Sequence, residues 1–427
     1  MAAIRPVGAE AGPPANGARP WLDRWLAANG DLADLHASNP QVDAVIDAID
    51  GRRVRIGDRW LIDFASCNYL GFDLDREIID AVPAYLDRWG THPSWSRMIG
   101  SPVLYEQLER ELVELLGAED VLMLQTLTHI HASVIPVLAG DGTIFIDQRA
   151  HKTIYDGCVV ARSHGATLKR FRHDDPEDLE RLLAAERGHP RLICMDGINS
   201  MTGNPPDLTT FAELARRYEA LLYVDDGHGF GVVGERSPDE LCPYGRHGNG
   251  VVRHLGQSYD HVILTGGFSK AYSSMLAFIA CPPRMKQLLK IAAPPYLYSG
   301  PSPVASLATG LEGLKVNAKR GDQVRASLYA RTRRVLDHLD QLGVVTLNTS
   351  GFPIVEVPMA DPDDLGSVGA IMHERGIYVT LAFYPGVPRE EVGFRLQITA
   401  ANTDEEISEL VDLLEELALG GRLRQRE

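Results

Sequence analysis

The sequence predicts an α/β fold, a large domain on a mostly parallel sheet followed by a small α+β C-terminal domain. Three observations carry that expectation. Short apolar runs alternate with amphipathic helical stretches from about residue 117 to about 280. Three of those runs end in aspartate: Asp147, Asp196 and Asp225. A long helical region, about 303–342, then precedes a second set of strand candidates. Alternating strands and helices favour parallel pairing, and ligands of such sheets collect at the carboxyl ends of the strands.

The elements follow in order. Residues 1–20, rich in Ala, Gly and Pro, read as a disordered tail with no apolar core of signal-peptide length. An N-terminal segment, 21–95, holds a short helix at WLDRWLAANG and a hairpin at 50-DGRRVRIGDRWLIDF-64, whose DG and GD pairs suit turns. Leu104, Leu108, Leu112 and Leu115 recur at helical spacing before Gly117, a natural helix stop. The large domain, 96–315, takes its strands from 143-TIFID-147, 191-RLICMD-196, 221-LLYVDD-226 and 261-HVILTG-266. Its helices include 177-EDLERLLAAE-186 and 211-FAELARRYEALL-222. The small domain, 316–427, offers strands at 344-VVTLN-348 and 353-PIVEV-357. It closes with a helix opened by a capping box, Thr403 with Glu406.

Composition narrows the function. The chain has 427 residues with a formal charge of −16, which argues against a nucleic-acid backbone as main partner. No apolar run reaches 18 residues, so no membrane span is expected. Cys67, Cys158, Cys194, Cys242 and Cys281 are scattered without a CxxC pair, as in a cytoplasmic protein with reduced thiols. No metal site is expected. His129 and His131 lie two apart with no third ligand in view, and zinc needs three or four.

Chemistry is concentrated in three places. Lys270 follows an apolar strand in 264-LTGGFSKAYSS-274. Asp225 and His228 lie in 224-VDDGHGFG-231, and His151 in 147-DQRAH-151. A lysine beside a buried carboxylate, away from bulk water, can supply a reactive amine. GGFSK is not a phosphate-binding P-loop, because the G-x-x-x-x-G spacing before the lysine is missing. The set matches the needs of pyridoxal phosphate (PLP). That cofactor forms an imine with a lysine and wants a carboxylate on its ring nitrogen, which suits Asp225. It also wants a flat side chain over its ring, which suits His151. Its phosphate wants a helix start with hydroxyls nearby. Thr126, Leu127 and Thr128 qualify, with Thr265 and Ser269 beside the lysine. An amino-acid carboxylate wants an arginine fork, and Arg395 is the candidate.

Seven segments in order, from about residue 45 to 420, resemble the α-oxoamine synthases. They are 66-SCNYLGF-72, 90-GTHPSWSRMIGSPVLYEQLE-109, 147-DQRAH-151, 198-INSMTGNPPDL-208, 224-VDDGHGFGVVGE-235, 265-TGGFSK-270 and 395-RLQITAANTDEE-406. The family includes aminooxononanoate synthase, 2-amino-3-ketobutyrate ligase, 5-aminolevulinate synthase and serine palmitoyltransferase. The resemblance implies PLP fold type I, aspartate aminotransferase-like, with a seven-stranded sheet. It implies a PLP-dependent transferase that condenses an amino acid with an acyl thioester, on coenzyme A or a carrier protein, with loss of carbon dioxide. It makes Lys270 the imine lysine and base, and Asp225 the partner of the ring nitrogen. It gives His228 to the cofactor's phenolic oxygen and places Ser200 near the polar edge of the ring. His151 stacks and Arg395 binds the substrate carboxylate. It also implies a homodimer with shared sites, in which Ser299 reaches the partner's phosphate.

Departures cluster near the substrate. A glycine-rich family stretch is here 90-GTHPSWSR-97, with His92, Ser94 and Trp95 at its usual glycine or small-residue positions. The phosphate loop is 125-QTLTH-129, which loses a glycine at Leu127. Cys67 replaces an asparagine, while Asn68 in NYLGF is kept. Gly267 stands for a threonine, Ser273, Ser274 and Met275 for a glycine pair, and Asn402 for a histidine. Asn68, Trp95, Ser96 and Ser273 are therefore the residues expected to shape the substrate side. Such divergence suits a specialised biosynthetic pathway. It leaves a second reaction open: aminotransfer, β- or γ-replacement, or condensation with a non-thioester partner. A cofactor-free scaffold is disfavoured by retention of Lys270, Asp225, His228, His151 and Arg395.

Overall fold

A computed structural model describes residues 20–28, 32, 35, 36 and 38–426. Residues 1–19 of the expected tail lie outside this set. Pro20–Ala28 is helical. The N-terminal hairpin forms β1 (Ala48–Asp50), β2 (Arg53–Ile56) and β3 (Arg59–Asp63). Its two tight turns place Gly51 and Gly57 at φ of 55° and 59°, a region where a Cβ is costly.

The large sheet contains β4 (Val121–Leu124), β5 (Thr143–Asp147), β6 (Thr167–Phe171), β7 (Arg191–Asp196), β8 (Leu221–Asp226), β9 (Val262–Gly267) and β10 (Ala277–Ala280). Their spatial order is β4-β10-β9-β8-β7-β5-β6. The neighbours from β9 through β6 pair in parallel, and β10 runs antiparallel to both β4 and β9. The seven-stranded, mostly parallel sheet of PLP fold type I is thus present. Both faces are covered, so these strands read as apolar runs rather than alternating ones. In β8, Leu222 and Val224 pack into one core cluster and Tyr223 into the other.

Helices return the chain between strands, and four of their starts are capped by a local side chain. Thr126, His151, Asp175 and Asp207 accept backbone N–H bonds at the starts of Leu127–Ala139, Lys152–Ser163, Pro176–Ala184 and Leu208–Arg217. Val103–Leu116 buries Leu104, Leu108, Leu112 and Leu116, and stops at Gly117 with φ 66°. Val304–Gln341, 38 residues long, runs continuously through residue 315, where the sequence reading divides the two domains.

The C-terminal part adds β11 (Ile354–Pro358), β12 (Ile377–Tyr378), β13 (Thr380–Ala382) and β14 (Gly393–Gln397). The order β11-β14-β13 makes a small antiparallel sheet. β12 pairs with β3, tying the N-terminal hairpin to this part. The strand expected at 344–348 is not formed. Val344 makes one isolated bridge to Gln425. The side chains of Thr346 and Asn348 instead bond the carbonyls of Glu356 and Phe352. The closing helix Asp404–Leu419 carries the complete Thr403–Glu406 capping box.

Candidate cofactor and substrate site

A cavity of about 340 Å³ opens at the carboxyl edge of the large sheet. Four parallel strands feed it with the residues that follow them: His151 after β5, Ser200 after β7, Asp225 and His228 at and beyond β8, Lys270 after β9. Thr126, Leu127 and Thr128, at the helix start after β4, line it as well. With Ser269 beside the lysine, nine candidate site residues of the sequence therefore meet in one place. Gln125, Thr153, Asp196 and Met275 join them on the wall.

Asp225 is the electrostatic centre. Its Oδ1 accepts the Gly227 N–H at 2.9 Å, and its Oδ2 lies 3.0 Å from His131 Nε2. Burial alone would raise this carboxyl. His131 and Lys270 outweigh it and hold the group low, at about 2, so it is ionised at any working pH. His131 is itself fixed by Tyr223, 2.8 Å from Nδ1. Tyr223 and Asp225 are two apart on β8 and share a face, so one imidazole bridges both. Sequence reading missed this role of His131. The signal was available in LLYVDD, with tyrosine and aspartate at i and i+2.

Lys270 ends beside that carboxylate. A Cβ placed on Gly227 would lie 2.7 Å from Leu127 Cδ1, 3.0 Å from Lys270 Nζ and 3.1 Å from Asp225 Oδ1. Glycine at 227 thus keeps a side chain from crowding the amine, the carboxylate and Leu127. His151 caps the helix after β5, with Nδ1 2.8 Å from the Thr153 hydroxyl. Burial lowers its pKa, which favours the neutral ring expected of a stacking group. Asp196, which accepts the His151 N–H at 3.2 Å, is driven up by burial and then by Asp225.

His228 Nδ1 lies 2.8 Å from the Tyr69 hydroxyl. Burial, then Lys270, lowers the pKa of His228. A neutral imidazole that accepts the Tyr69 proton on Nδ1 carries its own on Nε2, a donor suited to a phenolic oxygen. Tyr69 belongs to NYLGF, and its partner lies 159 residues away.

The helix start supplies the anion end. Thr126 Oγ1 caps the His129 N–H at 3.2 Å, which leaves the earlier N–H groups of the turn for a phosphate. Leu127, at the position of the lost glycine, packs where a Cβ on Gly267 would come within 2.9 Å of its Cδ1. The donor set and the cavity it lines fit PLP. Lys270 would hold its carbonyl carbon, Asp225 its ring nitrogen and the Thr126–Thr128 turn its phosphate.

Several expectations are corrected. Thr265 is fully buried and its hydroxyl faces the Val224 carbonyl at 3.3 Å, so it cannot serve the phosphate. Asn68 donates to Asp73, within the Arg52–Asp73 network, and does not line the cavity. The bulk at 92–95 does not fill the cavity either. His92 lies against Gly300, and Trp95 folds onto Gly100. Arg97, bonded to Glu109 and the Met123 carbonyl, anchors that loop. Ser96 closes a turn through its carbonyl. Ser273 sits at φ 53° with its hydroxyl facing the Lys270 carbonyl, and it shapes the backbone rather than the wall. Within its own chain Ser299 stays off the wall, next to Gly300, whose carbonyl accepts from Gln125 on the rim. Arg395 does not itself line the cavity; it donates from Nη1 at 2.6 Å to the carbonyl of Ser200, which does. Among the described residues no cluster of His, Cys, Asp or Glu could hold a metal.

Known proteins share this plan. The model of the aminotransferase class I and II family matches residues 60–414. The chain is 30% identical over 408 residues to the 8-amino-7-oxononanoate synthase of Methylobacillus flagellatus, covering 95% of this chain and 98% of that one. The synthase of the same name from Pseudomonas putida is 30% identical over 387 residues, covering 90% and 94%. The structure of Sphingomonas wittichii serine palmitoyltransferase superposes with a TM-score of 0.84 at 25% identity, covering 94% and 98%. The fold is likewise that of SPT carrying its PLP internal aldimine, with a TM-score of 0.84 at 23% identity, covering 93% and 98%. The chain belongs to the aminotransferase class I and II family, as a divergent α-oxoamine synthase, and is a PLP-dependent transferase.

Proposed function

We propose that the protein joins an amino acid to the acyl group of a thioester, releasing carbon dioxide and the free thiol, in a biosynthetic pathway. The observation that carries this reading is the pairing of an ionised, His131-backed Asp225 with the Lys270 amine on either side of Gly227. When bound, PLP supplies an electron sink for the substrate α-carbon. The chain does the rest. Asp225 keeps a proton on the sink's nitrogen through its low pKa. Lys270 Nζ takes the α-proton, and the low-dielectric pocket keeps water from competing. Arg395, held against Ser200, anchors the substrate carboxylate. The thioester is coenzyme A-bound or carrier-bound.

The same reading includes a homodimer in the cytoplasm. Exposed Trp95, Met98, Ile99 and Tyr298, at 49, 66, 81 and 82%, are apolar side chains that a second copy would cover. All five cysteines are free, and no helix among the described residues is long and apolar enough to cross a membrane.

Titration of the PLP-loaded protein with glycine, L-alanine and L-serine tests the reading. A change in the visible spectrum with one of these small amino acids is expected. A response only to a larger amine substrate would instead support the altered reaction, for which Met275 on the cavity wall is the specific departure.

A further inference from the structure

We infer that Gln397 is a positioning residue, which fixes the guanidinium of Arg395 so that its free end meets the carboxylate of the amino-acid substrate. The inference rests on the substrate reading above and adds the group that aims its anchor.

Gln397 lies two residues after Arg395 on β14 and shares its face of the strand. It is fully buried. With its amide nitrogen donating to the Phe64 carbonyl at 2.6 Å, its oxygen accepts from both Nε and Nη2 of Arg395, each at 2.8 Å. The opposite amide orientation would set oxygen against the carbonyl and nitrogen against the guanidinium, so the donor pattern itself selects this one. Arg395 Nη1 donates to the Ser200 carbonyl at 2.6 Å and makes a long 3.7 Å contact to the Met201 sulfur, a weak acceptor. These bonds set the plane of the guanidinium. One hydrogen on each terminal nitrogen stays free of a strong partner, as a two-pronged carboxylate contact needs.

The charge of Arg395 is also left uncompensated. Every strong acceptor it meets is neutral. The carboxyl directly across the strand pair, Glu356, is fully buried with neither oxygen hydrogen-bonded. Burial first, then Glu391, raises Glu356 to about 8, against the pull of Arg395 and Arg149. Near neutrality it is uncharged. A neutral amide on the fork holds the cation without quenching it, which a carboxylate at 397 would do.

The test uses the PLP-loaded protein and its visible spectrum. Dissociation constants are measured for glycine, L-alanine and L-serine, and for methylamine, ethylamine and ethanolamine, which lack the carboxylate. Gln397→Met should weaken amino-acid binding about 10-fold or more, the worth of a hydrogen bond to a charged group. It should leave the amines within about twofold, and its effect should vanish in an Arg395→Met background. Gln397→Asn, one methylene shorter, should act in the same direction if the methionine variant does not fold. Equal weakening of acids and amines, persistence of the effect without Arg395, or unchanged amino-acid binding overturns the inference. In the last case wild-type amino-acid binding leaves the substrate reading standing. If the wild-type protein binds none of the three amino acids, both fail.

Discussion

Leu127 and Gly267 occupy one space. A Cβ on Gly267 would lie 2.9 Å from Leu127 Cδ1, so a side chain at 267 would require the end of the leucine to shift. The two stand in different segments, at the helix start after β4 and at the end of β9. As departures from the α-oxoamine synthase pattern they look unrelated; in the fold they are a matched exchange. Gly267→Thr should therefore weaken PLP binding by about 10-fold or more, since overpacking costs about 1–3 kcal/mol. Leu127→Gly should restore most of it in the double variant. Equilibrium PLP affinities of the four proteins decide this. Additive losses would show that the exchange is not coupled.

His131 should matter as much as a residue that touches the cofactor. Replacing it by phenylalanine removes the partner of Asp225 Oδ2 and leaves the burial that raises that carboxyl. The expected loss in PLP affinity is about 10–100-fold. The pH profile carries the sign. The wild-type carboxyl, held at about 2, stays ionised down to strong acid. In the variant, affinity should begin to fall at a higher pH as acid is added. A loss independent of pH would contradict the electrostatic role.

Glu356 should cost stability above the acid range. Its folded pKa, about 8, lies above its ordinary value of 4.5, so the folded protein binds the extra proton between those limits. Stability therefore falls as pH rises from about 4.5 to 8. Glu356→Gln should remove that slope, with a gain growing through this window to at most a few kcal/mol. Denaturant unfolding at pH 5, 7 and 9 measures it. A gain that shrinks with pH would reverse the assignment.

Ser273 holds φ 53° where the family carries a glycine. Ser273→Gly should then be tolerated, changing stability by no more than about 1 kcal/mol. Ser273→Val, whose branched side chain resists that conformation, should cost more. Thermal unfolding of the two variants distinguishes them.

Much of the site was legible because it is local. Apolar runs ending in Asp147, Asp196 and Asp225 mark strand ends, and parallel strands put their carboxyl ends on one edge. Lys270 and His151 follow the same logic. What the sequence could not show is who meets across that edge. Tyr69 reaches His228 over 159 positions and His131 reaches Asp225 over 94; the tyrosine and aspartate of LLYVDD show a shared polar face, but the pattern names the distant partner in neither case. Thr265 was misjudged because a hydroxyl near the lysine in sequence faces into the sheet in the fold. Trp95 was misjudged because a bulky side chain in a loop can fold back on its own glycine, here Gly100. The run 344–348 looked like a strand by composition. Its polar side chains bond the neighbouring carbonyls instead.

The central claim is a decarboxylative condensation, and carbon dioxide release tests it most directly. The PLP-loaded protein would be given carboxyl-labelled glycine, L-alanine or L-serine, with an acyl thioester of coenzyme A or a carrier protein. Labelled carbon dioxide and free thiol should appear in equal amounts, only with both substrates present, and should vanish in Lys270→Ala. Turnover of the amino acid that retains its labelled carboxylate in the product would contradict the account.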